Sequence, residues 1–390
     1  MILSILLDAS IGLIVYTYLL FPLILLVRAL VRPRPFEQRD AEPLVTLVIA
    51  AHNEARSIGA KLDNTMSLDY PPEQMETIVA SDGSDDGTNE IVGGYADRVR
   101  LLSLPRNGKA SALNAAIAEA NGQIIVFSDA NSIFARDAVR ALVRPFADAR
   151  VGGVAGNQRY RSVKDREDGN AAGEQAYWSF DRLLKIAESR AGNAISATGA
   201  IYAIRRSLVG AVPEGVTDDF AISSSVIAQG YRLVFAPDAV AYESPAGSGR
   251  AEFRRKVRII TRGLRGVLIR RELLNPFQHG FYALQLFSHK VLRRLMVIPL
   301  LVLASMTGTL WSRGGLFRLA AASQAVFYLL AGAGLAFEGS RLARSRFLAA
   351  PAYFVMVNAA SLVAIWNIVR GRRIDRWDSQ RPSGGGDRRR

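Results

Sequence analysis

Cysteine is absent from this 390-residue chain, and its absence excludes three kinds of chemistry. The protein has no disulfide bond, no thiolate nucleophile and no cysteine-based metal site. Histidine is scarce as well: His52, His279 and His289 lie far apart in sequence and show no zinc-ligand spacing. Redox chemistry at cysteine and a zinc centre are therefore not expected.

Several nucleotide-binding and catalytic motifs are also missing. The segment 107–110 is similar to a P-loop, but Ser103 stands at the upstream glycine and Ala110 at the serine or threonine that should follow the lysine. No Gly-x-Gly-x-x-Gly follows the first predicted strand, and no Gly-x-Ser-x-Gly elbow is present. These motifs give no support for a P-loop nucleotidase, a dinucleotide-binding enzyme or a serine hydrolase.

Negative charge is outnumbered, since the net charge is +14 and 49% of the residues are hydrophobic. Many arginines flank long apolar runs, which is typical of membrane-flanking charge. No segment interleaves basic and aromatic residues as nucleic-acid-binding motifs do. We therefore expect membrane lipids as a partner and no nucleic acid.

A long apolar run opens the chain. Ile2–Val27 is long enough to cross a bilayer, and residues 1–30 are predicted to form an amino-terminal transmembrane helix. A cleaved signal peptide fits poorly, because no basic segment precedes the run and no small-residue cleavage site follows it. Arg28, Arg32 and Arg34 come next, so the positive-inside rule places the following domain in the cytoplasm.

The carboxyl-terminal region, residues 275–370, is predicted to hold an interfacial helix and about three transmembrane helices. Phe277–Arg294 mixes apolar and basic residues as interfacial helices do. The membrane candidates are Leu295–Leu310, Phe317–Phe337 and Phe347–Val369. Residues 371–390 form a basic tail that is predicted to be disordered. Four crossings would put this tail outside, whereas its arginines favour the inside.

Between these regions, residues 31–274 alternate short β-rich runs with helical stretches. This pattern predicts an α/β domain with a mainly parallel sheet and helices on both faces. The predicted strands are Val45–Ala50, Glu76–Ala80, Val99–Leu104, Ile124–Ser128 and one near Ala200–Ile204. The predicted helices are Ala55–Leu68, Gly87–Tyr95, Ser111–Ala120, Ala135–Phe146, one near Glu174–Ala187 and one over Asp218–Gln229.

Acidic clusters are the most informative feature of this domain. The segment 82–88 is compatible with a turn and helix cap, a calcium loop or a nucleotide site at a strand end. The calcium loop fails, because Gly93 stands where the bidentate glutamate should be. The segments 129–131 and 217–219 are each compatible with helix caps, or with a metal ligand set and a general base respectively.

In order along the chain, these pieces resemble the inverting glycosyltransferases of family 2, which have the GT-A fold. The resemblance rests on Val45–Glu54, Ile78–Thr88 with its Asp-Gly-Ser, Arg106–Asn114 with its Gly-Lys, Asp129–Asn131 and Thr217–Asp219. It covers roughly residues 43–265. It implies a GT-A nucleotide-sugar-binding domain and a membrane-bound, polysaccharide-synthase-like hexosyltransferase.

The resemblance also implies roles for individual residues. Asp82 would contact the nucleobase, Glu54 would shape the nucleotide pocket, and Lys109 and Arg258 would lie near the nucleotide and its diphosphate. Asp129, with Asn131, would hold Mg²⁺ or Mn²⁺ on the diphosphate. Asp219, with Asp218 beside it, would act as the base that deprotonates the acceptor hydroxyl. The implied substrates are a nucleotide-sugar, UDP-sugar by expectation, and a glycan or lipid-linked acceptor.

Three departures from the family pattern leave alternatives open. Ser81 and Asn131 each stand where the family often has an acid, and Ile259 stands where processive members have tryptophan. An isoleucine loses the aromatic stacking face. A single-addition glycolipid transferase therefore remains an alternative to a polysaccharide synthase, as does a non-catalytic membrane scaffold with a degenerate transferase fold.

Overall fold

A central sheet of eight strands organises the globular part of the protein. The computed structural model describes residues 2–160, 182–243, 249–337, 340 and 345–372. The strands are β1 Val45–Ala51, β2 Met75–Asp82, β3 Arg100–Leu104, β4 Ile124–Asp129, β5 Ile133–Phe134, β6 Val151–Tyr160, β7 Tyr202–Arg205 and β8 Arg232–Glu243. Their order across the sheet is β3-β2-β1-β4-β7-β6-β8-β5.

The amino-terminal half of this sheet is parallel and fully covered. β1 pairs in parallel with both β2 and β4, and β2 pairs in parallel with β3. Along β1, Leu47 and Ile49 pack into one apolar core and Val48 and Ala50 into another on the opposite face. Side chains alternate across a strand, so two cores mean that helices cover both faces. The predicted α/β class is confirmed.

The helices of the domain match the predicted ones closely in the first half. They are Ala55–Met66, Thr88–Gly93, Lys109–Glu119, Ala138–Val143, a helix over 182–191, Asp218–Ala228 and Gly249–Ile269, with 3₁₀ turns Pro72–Gln74, Arg144–Ala147, Arg206–Leu208 and Arg271–Leu274. The helix expected over 135–146 is shorter, because a turn occupies its start and the 3₁₀ turn Arg144–Ala147 replaces its end. Part of the helix expected near 174–187 lies outside the described residues.

The second half of the sheet holds β7, where a strand was predicted near Ala200–Ile204, together with β5, β6 and β8, which were not predicted. β7 runs antiparallel between β4 and β6, and β8 pairs with β6 in parallel. β6 contains three glycines, which disfavour a strand by themselves. A Cβ at Gly152 would lie 2.5 Å from Leu208, and one at Gly156 would lie 2.8 Å from Ile201. These glycines are explained by close packing, which becomes visible only in the folded chain.

Long apolar helices flank the domain. Among the described residues, three helices are long and apolar enough to cross a membrane: Ile5–Val31 (the amino-terminal helix), Gly315–Ala336 and Arg346–Val369. A fourth candidate is the bent helix pair Phe281–Leu295 and Val297–Thr309, in which the helix axis bends by 45° between the two arms. The amino-terminal helix consists of Ile2–Val15, the π-helical turn Tyr16–Leu20 and Phe21–Val31. The first arm of the bent pair consists of Phe281–Leu286, the π-helical turn Phe287–Leu292 and Arg293–Leu295. The short helices Pro276–His279 and Trp311–Arg313 flank the pair. The tail from residue 373 lies outside the described residues.

Candidate active site

Two of the predicted acids lie at the ends of parallel strands that are separated only by β1. Asp82 is the last residue of β2, and Asp129 is the last residue of β4. Parallel strands that end together form the edge at which open α/β sheets bind ligands. The structure therefore brings these two acidic clusters to one edge of the sheet.

Asp82 anchors the turn that presents Lys109. Its Oδ1 accepts hydrogen bonds from the backbone N–H groups of Asn107 and Gly108 at 2.7 and 2.8 Å. Asp82 is only 1% exposed, and Nδ1 of His52 lies 2.7 Å from its backbone oxygen. The helix Lys109–Glu119 begins directly after this turn. Its predicted contact with a nucleobase remains a prediction.

Lys109 joins two of the acidic clusters. Its Nζ lies 2.7 Å from Oδ1 of Asp129 and 2.9 Å from Oδ2 of Asp218. Burial opposes the charge of the ammonium group, but the two carboxylates outweigh it and raise the pKa of Lys109 above its usual value. Lys109 and Asp129 are 20 residues apart in sequence, and Asp129 and Asp218 are 89 residues apart. Three motifs that are distant along the chain thus meet at one cation.

Asp218 and Asp219 open the acid helix (Asp218–Ala228) in different electrostatic environments. Burial works against ionisation of Asp218, but the charge and hydrogen bond of Lys109 outweigh it and lower its pKa. Asp219 has no such bond to Lys109 among the described contacts; burial, and then the neighbouring Asp218 carboxylate, raise its pKa to about 6. Asp218 is therefore held ionised, while Asp219 is poised to accept a proton near neutral pH.

A lysine of the bent helix pair contacts the acid helix. Lys290 lies in the π-helical turn Phe287–Leu292, and its Nζ is 4.3 Å from the ring centre of Phe220 and 2.9 Å from Oγ of Ser196. Its positive charge acts to lower the pKa of Asp219, though less than burial raises it. The acid helix is thus contacted by a residue of the bent helix pair.

Tyr202 and Gly199 lie next to these acids, and no sequence pattern predicted either of them. Tyr202 is fully buried, its ring stacks on Phe127 at 4.7 Å, and its hydroxyl has no hydrogen-bond partner in the described structure. Burial, and then Asp218, raise its pKa well above the usual value, so it remains a protonated phenol. A Cβ at Gly199 would lie 2.8 Å from Oδ2 of Asp129.

The turn that contains Glu54 is fastened to the loop after β2. Asn53 adopts a left-handed conformation with φ 53°, and its Oδ1 accepts from the backbone N–H of Asp85 at 3.0 Å. The backbone N–H of Glu54 donates to Oγ1 of Thr88 at 2.9 Å, and its carboxylate accepts from the hydroxyl of Ser57. Glu54 thus borders the loop after Asp82, and its role in shaping a nucleotide pocket remains a prediction.

The basic helix (Gly249–Ile269) contains Arg262, an arginine that the family resemblance did not single out. The positive charge of Arg262 acts on Asp218 and lowers its pKa, and Nε of Arg262 is buried with no hydrogen-bond partner in the described structure. Arg258, the predicted diphosphate ligand, lies one helical turn earlier. A partnerless buried guanidinium nitrogen is a donor that a ligand could satisfy.

The residues present fit a divalent cation only with help from a ligand. No group of three acidic, histidine or cysteine side chains able to hold a metal occurs among the described residues. Asp129 is about one-third exposed at the strand end, and Asn131 follows it in the same turn. Magnesium-type sites use one or two carboxylates and take their remaining oxygens from water and substrate phosphates, which this set allows.

A scan against family models matches residues 46–212 to glycosyl transferase family 2. Over these residues the chain resembles this family. The matched segment contains β1 to β4, Asp82, Lys109 and Asp129, so the predicted family resemblance is confirmed where these motifs lie. It ends before the acid helix and the basic helix.

Curated relatives are similar over about half of the chain. The poly-β-1,6-N-acetyl-D-glucosamine synthase of Staphylococcus aureus (strain COL) is 30% identical over 206 residues, which is 51% of this chain and 49% of the relative. A probable glycosyltransferase of Bacillus subtilis (strain 168), YdaM, is 27% identical over 256 residues, 58% of this chain and 56% of the relative. The alignments thus span only about half the length of these relatives.

A solved structure resembles nearly the whole chain. A mannosyltransferase from Pyrobaculum calidifontis, in complex with GDP-Man and Mn²⁺, superposes with a TM-score of 0.71 at 25% identity and covers 94% of this chain and 100% of its own. The chain therefore has a GT-A-like domain joined to apolar helices. The GT-A expectation is confirmed, and the roles of the individual site residues remain predictions.

Proposed function

We propose that this protein is a membrane glycosyltransferase that transfers a sugar from a nucleotide-sugar to a glycan or lipid-linked acceptor with inversion. The observation that carries the proposal is the pairing of Lys109 with both Asp129 and Asp218, next to Asp219 with its pKa of about 6. An anion-neutralising cation, a strand-end carboxylate and a poised base are the groups that such a transfer needs.

Each group has a distinct part in the proposed reaction. Asp219 accepts the proton of the acceptor hydroxyl, which attacks the anomeric carbon from the face opposite the diphosphate. The bond from that carbon to the diphosphate oxygen breaks, and no covalent enzyme intermediate is needed. Lys109 and Arg262 would meet the negative charge that develops on the departing diphosphate, and Arg258 remains a further candidate for this contact.

Mg²⁺ or Mn²⁺ is proposed as the cofactor, and Asp129 with Asn131 would hold it. When bound, the metal would act as a Lewis acid on the diphosphate oxygens. The GT-A-like neighbour from P. calidifontis was solved with Mn²⁺, which supports this choice. Because Asn131 supplies no charge, the donor diphosphate would provide most of the negative charge around the metal.

The proposed product is a cell-surface polysaccharide, made with a UDP-sugar donor by a domain that faces the cytoplasm. The similarity to a poly-β-1,6-N-acetyl-D-glucosamine synthase supports polysaccharide synthesis. Ile259 favours the other candidate, a single-addition transferase, because it offers no aromatic face to hold a growing chain. It is exposed on the basic helix.

The test is a screen of radiolabelled nucleotide-sugars against membranes that contain the protein, with Mg²⁺ or Mn²⁺ present. Transfer from one donor into an organic or aqueous product is expected, and the product length distinguishes a polymer ladder from one added sugar. An Asp219→Asn variant is the control for background transfer. No transfer or hydrolysis of any donor would leave the non-catalytic scaffold as the better account.

A further inference from the structure

A buried lysine lies behind the strand-end turn that carries Asp129, and the proposed mechanism does not use it. Lys61 belongs to the helix Ala55–Met66 and is 0% exposed. Its Nζ donates to the backbone oxygen of Ser132 at 2.8 Å and lies 3.7 Å from the ring centre of Phe134. A buried ammonium group is costly, so an apolar residue would serve simple packing better.

A buried glutamate, Glu243, accepts a hydrogen bond from the side chain of Ser132. Oγ of Ser132 donates to Oε1 of Glu243 at 2.6 Å, and Nε2 of Gln158 donates to Oε2 at 2.6 Å. Glu243 is 8% exposed and ends β8, whereas Ser132 is 0% exposed. Two buried groups of opposite charge type, from a helix and a strand far apart in sequence, therefore hold one serine.

Ser132 is tied in turn to the proposed metal ligands. Its backbone N–H donates to the backbone oxygen of Asp129 at 3.2 Å, which closes the turn that contains Asn131. The carboxylates of Asp129 and Glu243 both favour the charged form of Lys61, against the effect of burial. The hydrogen bond to Ser132 exists whether Lys61 carries two or three protons, so the contact does not depend on its ionisation.

We propose that Lys61 and Glu243 form a buried clamp on Ser132 that positions Asp129 and Asn131 for the metal and the donor diphosphate. Neither clamp residue is a catalytic residue, because both act through Ser132. Mutation of groups that orient metal ligands from behind typically costs about 10- to 100-fold in metal affinity. This inference rests on the proposed function.

The experiment compares Lys61→Met, Glu243→Gln and the double variant with the unaltered full-length protein in detergent. Thr65→Val is the matched control, because Thr65 is buried on the same helix and its hydroxyl bonds only within that helix. Mn²⁺ is titrated by electron paramagnetic resonance, alone and with UDP or GDP. Thermal unfolding is followed in parallel.

Each single variant leaves one buried group without its counterpart, so both should unfold at lower temperature. The double variant should recover much of the lost thermal stability, because neither charge remains. Its dissociation constant for Mn²⁺ should nevertheless stay about 10- to 100-fold above that of the unaltered protein, because the turn is still unclamped. The control variant should match the unaltered protein in Mn²⁺ affinity.

The clamp is wrong if Lys61→Met binds Mn²⁺ with unchanged affinity, or if the double variant recovers Mn²⁺ affinity together with stability. It is also wrong if the unaltered protein transfers sugar but binds no Mn²⁺, although the proposed function then stands. An unaltered protein that neither binds Mn²⁺ with a nucleoside diphosphate nor transfers sugar would overturn both proposals.

Discussion

The two adjacent carboxyl groups of the acid helix differ in their electrostatic environment. Asp218 faces Lys109, whereas Asp219 lies in a buried position beside a like charge. Neighbouring residues on a helix point in different directions, so one pair can supply an ion-pair partner and a base. The difference in pKa between them is what assigns the base to Asp219.

Asp219 should therefore give the pH profile of the transfer rate its acid limb. Its pKa of about 6 in the folded protein lies above the ordinary value of 3.8, so the base form is lost as the pH falls through 6. We expect kcat/KM to rise up to pH 6 and level off above it. Asp219→Asn should lose about 10²-fold or more in turnover and lack this limb.

The Asp219→Asn variant should lose activity but not thermal stability. Because the folded pKa is raised, ionisation of Asp219 opposes folding, and stability is lost as the pH rises from 3.8 towards 6. Asp219→Asn removes that cost, so its unfolding temperature at pH 7 should equal or exceed that of the unaltered protein. A marked drop would mean that Asp219 is a structural residue.

Arg262 and Arg258 offer a matched pair on one helix. Arg262 acts on Asp218 and has a buried, partnerless Nε, so Arg262→Gln should raise the KM for the donor by about 10-fold or more, given roughly 1.5–3 kcal/mol for a hydrogen bond to a charged group. Arg258→Gln, measured in the same assay, tests the residue that the family resemblance assigned. A larger effect at Arg258 would reverse our assignment.

At the scale of elements, the turn before β7 sets how closely the backbone approaches Asp129. A Cβ at Gly199 would fall 2.8 Å from Oδ2 of that carboxylate, whereas one at Gly210 meets nothing within 4 Å. Gly199→Ala should displace Asp129 and reduce turnover by about 10²-fold, as small misplacements at reacting centres do.

Gly210→Ala is the control for that change and should retain activity and stability. Both variants should fold, because neither glycine has a φ in the left-handed region. Circular dichroism and thermal unfolding check this point, and the transfer assay gives the rates. Equal rates in the two variants would show that Asp129 tolerates the extra methyl group.

The same elements show which parts of the fold were predictable. β1, β2 and β4 contain runs of buried residues rich in Val, Ile and Thr, so local pattern predicts them. β6 and β8 were not predicted, because three glycines interrupt the first and Pro237 the second. Their pairing depends on contacts with Leu208, Ile201 and other residues distant in sequence.

The candidate site likewise has a part that sequence motifs predicted and a part that depends on folding. Asp82, Lys109 and Asp129 lie in short motifs at strand ends, so sequence alone indicated that they belong together. The bonds from Lys109 to both Asp129 and Asp218, and the buried phenol of Tyr202, require chain segments that meet only after folding. The charge of Arg262 beside Asp218 likewise depends on where the basic helix packs.

At the scale of the whole molecule, contacts indicate how the bent helix pair runs beside the amino-terminal helix. Leu25 and Ala29 pack on helix 182–191 of the domain, with Phe281 against the same cluster. Further from the domain, Tyr16 bonds to Ser288 at 2.8 Å. Near the far end, Leu7 packs on Met306 and Leu310. The pair therefore lies antiparallel to the amino-terminal helix along its length.

This arrangement predicts that the bent pair crosses the membrane and that Ser312 lies on the side opposite the domain. The unaltered chain has no cysteine, so a Ser312→Cys variant carries a single thiol. An impermeant maleimide added to intact cells should label it, because Ser312 is exposed. Glu73→Cys, on the exposed surface of the domain, should be labelled only after the membrane is opened. Labelling of both thiols only after opening would mean that the bent pair returns without crossing, which would leave three spans and place the end of the chain beside the domain.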